Sequence, residues 1–83
     1  MGLSSAALTY APMEDVRAIL ARNIKAARTR LNLSQEELAA RAQIDRTYVS
    51  GIERRVRNPT ITVVARFAAA LETTAAALLD KDF

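Results

Sequence analysis

Guanidinium groups carry most of the chemistry this chain offers. Ten of its twelve basic side chains are arginine, and six of those, at positions 41, 46, 54, 55, 57 and 66, fall in one stretch. Only Asp45 and Glu53 oppose them there, a local charge of +4 in a protein whose net charge is +3. Arginine presents a rigid fork of donors that fits phosphate oxygens and the paired acceptors of guanine. Most basic clusters are merely solvated faces, but one set against a slightly acidic remainder raises the odds of an anionic partner. Other chemistry is excluded by what is missing. The 83 residues contain no cysteine and no histidine, which removes disulfides, thiol nucleophiles, Ser-His-Asp triads and the common zinc sites. Glu36 and Glu37 are adjacent, so on a helix they diverge and make no catalytic pair. The chain reads as non-enzymatic, with no metal, cofactor or small-molecule ligand.

These arginines need elements to hold them, and the composition favours helices. Seventeen alanines stand against two glycines and two prolines, with 51% of residues apolar and 25% charged; this is one small, all-α domain. No apolar run exceeds five residues, so no membrane span is expected. The absence of cysteine and of a signal-peptide pattern suits the cytoplasm. Residues 1–12 show no sustained period and read as a flexible arm, leaving 13–83 as the folded domain.

Five helices follow from periodicity and caps. From Met13, the residues Val16, Leu20, Ile24, Ala27 and Leu31 recur on one face, and Asn32 suits a left-handed cap. Ser34-Gln-Glu-Glu37 is a capping box that opens a short second helix to about Ala42, with Leu38, Ala39 and Ala42 inward. Asp45 caps a third helix ending near Arg54. Pro59 bars Asn58 from the α region, so 56–59 is a loop. Thr60 caps a fourth helix with Ile61, Val64, Phe67, Ala68 and Leu71 as its core stripe. Thr74 caps a fifth, carrying Ala75, Leu78 and Leu79 and ending near Asp80.

The second and third helices, joined by a tight turn, match a helix-turn-helix. Ala39 sits where the two cross, where a larger side chain would push the axes apart. Val49 and Ile52 anchor the third helix inward, which leaves Arg46, Thr47 and Ser50 pointing out. Such a helix fits a DNA major groove, with its first residues at base edges.

Three segments, Leu33-Ser-Gln-Glu-Glu-Leu-Ala39, Asp45-Arg-Thr-Tyr-Val-Ser-Gly-Ile-Glu-Arg54 and Arg57-Asn-Pro-Thr60, resemble the Cro/phage-repressor (XRE) helix-turn-helix family. Within it, the last two are most similar to the controller proteins of restriction–modification systems. The resemblance implies a five-helix, lambda-repressor-like domain. It also implies that Arg46, Thr47 and Ser50 read bases while Gln35, Tyr48, Arg54, Arg55, Arg57 and Asn58 lie along phosphates. Tyr48 is equally suited to packing against the second helix. Arg28 and Glu53 match a structural ion pair of the family. Two positions depart from its pattern: Gln43 in the turn and Glu72 after the fourth helix, where glycine is usual. Gly51, inside the third helix, implies a close approach by backbone or by a partner.

One recognition helix covers too few base pairs to select a site, and the family pairs two copies on half-sites about 34 Å apart. Val63, Ala69, Ala76, Leu79 and Phe83 lie off or beyond the main stripes, and are the candidate dimer interface. The leading expectation is therefore a homodimeric transcription regulator on double-stranded, palindromic DNA. An antitoxin or adaptor using the same fold for protein–protein contact is the alternative.

Overall fold

Each helix opens on a side-chain oxygen that accepts a backbone N–H of its own first turn. The structure, a computed structural model, describes residues 15–83; the expected arm at 1–12 and the helix start at Met13 lie outside them. Asp15 caps α1 (Val16–Arg30), Ser34 caps α2 (Gln35–Ala42) and Asp45 caps α3 (Arg46–Glu53). Thr60 caps α4 (Ile61–Ala70) and Thr74 caps α5 (Ala75–Leu78). At Ser34 the box is reciprocal. Its hydroxyl accepts the Glu37 amide at 3.0 Å, and Glu37 accepts the Ser34 amide at 2.8 Å. Among the described residues there is no strand, and no helix is long and apolar enough to cross a membrane.

The helix exits share a device that the scarcity of glycine makes unusual. After α1, α2, α3 and α4 stand Asn32, Gln43, Arg55 and Glu72, each left-handed, with φ between 58° and 65°. In each case the next residue's N–H reaches back to a carbonyl five positions earlier at 2.9 Å: Leu33 to Arg28, Ile44 to Ala39, Val56 to Gly51 and Thr73 to Ala68. That is the Schellman closure, normally built on glycine. A side chain in this conformation costs roughly 1–2 kcal/mol. The domain accepts that strain four times to make its turns.

The core gathers one face from every helix. Ile24, Leu38, Val49, Ile52, Phe67 and Leu78 are fully buried, with Ala39 and Ala42 between α2 and its neighbours. The third helix packs against both α1 and α2, α4 against α2 and α5, and α5 against α1. Two expected core positions are corrected. Val16 is 52% exposed and Ile61 82%, because each stands at the start of its helix, where the stripe overhangs the core; Leu79, expected off the main stripes, is 39% exposed. Leu31 is only half-buried, and α5 stops at Leu78, short of Asp80. In place of Val16, α1 buries Ile19, Ala21 and the polar Asn23. Asn23 is 1% exposed, and its amide nitrogen donates to the Leu78 and Asp80 carbonyls at 2.9 and 2.8 Å. The Leu78 carbonyl is an orphan acceptor at the end of α5, and burying it without a donor would be costly. With the Arg22 guanidinium on the Lys81 carbonyl, α1 thereby fastens the C-terminal tail.

Candidate nucleic-acid interface

The third helix is fixed on its inner side and bare on its outer one. Val49 and Ile52 anchor it in the core, while Asp45 caps it by accepting the Thr47 amide at 3.1 Å. Arg46 and Thr47, its first two residues, are exposed. A cation at a helix start opposes the helix dipole, so Arg46 gains nothing from its own helix and is available to an external acceptor. Ser50, one turn on, is half-buried, and its hydroxyl accepts from Arg54 Nε at 3.4 Å.

A polar brace holds the carboxyl end. Arg28 on α1 grips Glu53 through two parallel bonds, Nε to Oε2 at 2.8 Å and Nη2 to Oε1 at 3.0 Å. The same guanidinium donates to the Leu33 carbonyl at 2.8 Å, tying in the α1–α2 turn. The Glu53 and Arg28 side chains are only 6% and 15% exposed. Burial raises the Glu53 carboxyl, but hydrogen bonds from Arg28 and Gln35 outweigh it and leave the group below the usual glutamate range. Arg28 is raised, chiefly by its bonds to Glu53. Gln35 joins this brace, its Nε2 donating to Glu53 Oε1 at 3.0 Å. One N–H of its amide is left for an outside acceptor.

The loop arginines have distinct surroundings. Arg54 bends back to Ser50. Arg55, left-handed at φ 65°, lines a cleft of about 340 Å³ with Arg22 and Lys25 of α1. Arg57 turns the other way, its guanidinium 5.4 Å from the centre of the half-buried Tyr48 ring. Its stem crosses Gly51, where an added Cβ would lie 2.6 Å from Arg57 Cγ. So the close approach at Gly51 is made by a side chain of this protein. Asn58 is exposed beside Pro59. Arg66 on α4 donates to the Gln43 carbonyl at 3.2 Å, bracing the strained turn between α2 and α3. Two α-helices at a braced tight turn, the second baring its first residues and followed by a loop that carries Arg54, Arg55 and Arg57, is the arrangement of a major-groove reader.

The helix-turn-helix pattern matches residues 24–78, which run from α1 to the end of α5. The chain belongs to the helix-turn-helix family. Control protein C.SmaI of Serratia marcescens is 40% identical over 67 residues, 81% of this chain and 80% of the relative. A hypothetical transcription factor from Neisseria superposes with a TM-score of 0.78 at 42% identity, over 83% of this chain and 85% of that one. The restriction–modification controller C.Esp1396I, crystallised as a tetramer with its natural 35 base-pair operator, superposes with a TM-score of 0.72 at 33% identity, over 80% and 87%. This helix-turn-helix protein is thus a transcription regulator of XRE type, similar to restriction–modification controllers.

Within the family's architecture, three features of this member escape sequence reasoning. Asn23 reads as one more polar residue of α1, and its partners lie 55 and 57 positions away. Gln35 reads as a helix opener, yet it completes the Glu53 brace. The stack of Arg57 on Tyr48 left one trace, the glycine at 51 inside a helix.

Proposed function

We propose that this protein is a homodimeric, sequence-specific DNA-binding regulator that acts on palindromic operators in the cytoplasm, without enzymatic activity or a small-molecule effector. The observation that carries the reading is the two-sided third helix: Val49 and Ile52 are buried while Arg46 and Thr47 stand exposed at its leading end. Arg46 takes guanine O6 and N7, and Thr47 a thymine methyl or a base-edge acceptor. Ser50 lies a turn behind them. Gln35, Tyr48, Arg54, Arg55, Arg57 and Asn58 supply the phosphate-facing row, with Arg57 pre-set by its stack on Tyr48.

The relative bound as a tetramer to 35 base pairs supports several copies per operator. That length is about three and a half helical turns, close to one reading helix per turn. On this reading the regulator's input is its own concentration, through dimerisation and the filling of sites. Selection of bound sequences from a random duplex pool tests the proposal. Enrichment of a palindrome with half-sites one turn apart supports it, and failure to enrich any sequence refutes it.

A further inference from the structure

We infer that Lys25 and Arg22 of α1, with Arg55 of the loop after α3, form a cleft that holds a backbone phosphate of the bound duplex. This rests on the DNA-binding reading and carries its contact surface beyond the helix-turn-helix onto the first helix.

The cleft, of about 340 Å³, lies between α1 and the end of α3. Arg22, Lys25 and Arg28 stand three residues apart, so they share one face of α1. Arg28 commits its charge to Glu53, the last residue of α3, which sets that face against the start of the loop. Lys25 and Arg22, one and two turns earlier, are exposed on the cleft wall, and the small Ala18 and Ala21 beside them leave the space open.

Charge decides what fills it. Glu53 is the one carboxylate in the lining, and Arg28 and Gln35 already hold both of its oxygens. Arg22 bonds only to neutral oxygens, the Lys81 carbonyl at 2.6 Å and the Asn23 amide oxygen at 3.3 Å. Among the described residues, neither Lys25 nor Arg55 takes part in an ion pair. Three cations therefore border one space with no anion of their own, which favours an anionic occupant.

Arg55 adds an independent observation. It holds φ at 65° at a helix exit where glycine is usual and unstrained. The turn itself needs only backbone, the Val56 N–H on the Gly51 carbonyl at 2.9 Å. Strain kept at a residue whose side chain lines a cleft points to a use for that side chain. The occupant is a duplex phosphate because the same loop carries Arg54, Arg57 and Asn58. A sugar–phosphate strand lying along that loop passes the mouth of the cleft, where two basic side chains of α1 meet it from the far side.

Lys25→Gln and Arg55→Gly test the cleft, each measured on the selected operator and on a random duplex over a range of salt. Lys25→Gln should leave the melting curve unchanged, and Arg55→Gly should raise Tm by several degrees as strain is relieved. Both should weaken binding to the two duplexes by the same factor. Each should also make the log–log salt slope shallower by about 2 per dimer, for one phosphate in each protomer. Replacing operator phosphates one at a time by neutral methylphosphonates should reveal a position in each half-site that costs the wild type affinity and costs Lys25→Gln none. A wild type that binds the operator with a salt slope neither variant alters overturns the cleft and leaves the DNA reading intact. Saturable binding of ATP that Lys25→Gln abolishes, with duplex binding unaltered, overturns it in favour of a free nucleotide. A wild type that shows no salt-dependent binding to any duplex overturns both.

Discussion

Removing either partner of the Arg28–Glu53 pair should loosen the end of the reading helix at a cost the geometry sets. In Arg28→Met, the Glu53 carboxylate is stranded at 6% exposure with Gln35 as its remaining donor. In Glu53→Gln, the guanidinium keeps the Leu33 carbonyl but loses the opposing charge and one of its two acceptors, since an amide offers a single oxygen. Breaking a buried pair from one side typically costs 3–5 kcal/mol, and the partly open edge of Arg28 places this one near about 3 kcal/mol. In a domain of this size, about 3 kcal/mol lowers Tm by roughly 12–24 °C. Urea unfolding of both single variants and of Arg28→Met/Glu53→Gln measures the coupling. The double variant should lose less than the sum of the singles by about 1–3 kcal/mol. Because the folded Glu53 is depressed, its stabilisation is complete above the unfolded carboxylate value of about 4.3 and is lost as pH falls through the lower folded value. Glu53→Gln should therefore flatten the acid limb of the stability curve. Single variants that each cost under about 1 kcal/mol, the range of exposed pairs, with an unaltered acid limb would refute the reasoning.

The remaining predictions concern strain, the Gly51 contact and salt. Gln43→Gly should stabilise the fold by up to about 1 kcal/mol, the relief at φ 58° exceeding the entropy gained by the unfolded chain; thermal melting reads it. Gly51→Ala should leave the stability read by melting within about 1 kcal/mol of wild type or lower it, since the helix-forming gain of about 1 kcal/mol is offset by the displacement of Arg57, whose Cγ lies next to its backbone and 2.6 Å from the added Cβ. It should also weaken operator binding, measured by fluorescence anisotropy, and adding Arg57→Ala should produce little further loss. If about eight phosphates are neutralised per dimer, the log–log salt dependence of affinity should have a slope near −7; a flat dependence would remove the arginine row from the interface.

Much of this was open to sequence reasoning because the signals are local. The Ser34 box, the Asp45 cap and the three-residue step from Val49 to Ile52 each act within one or two turns, and the structure keeps them all. Left-handed Asn32 was legible for the same reason, and left-handed Gln43 only through the family resemblance, which has glycine there. Left-handed Arg55 was not, because an arginine in a basic run conceals a backbone role. Periodicity identified the stripes of α1 and α4 but not where they outrun the core, so Val16 and Ile61 counted as interior when they are surface. Gln35 and Asn23 depend on partners brought in by tertiary packing, which no spacing in the chain encodes.

The central claim is that the exposed leading end of α3 reads bases while the arginines behind it only hold the backbone. Affinities of wild type and Arg46→Ala, measured at fixed salt against the selected operator and its single base-pair variants, test this directly. The account predicts that Arg46→Ala loses about 1–3 kcal/mol at one guanine of each half-site and relaxes discrimination there, with non-specific binding nearly unchanged. Equal weakening on every duplex, or undiminished discrimination at every position, would contradict it.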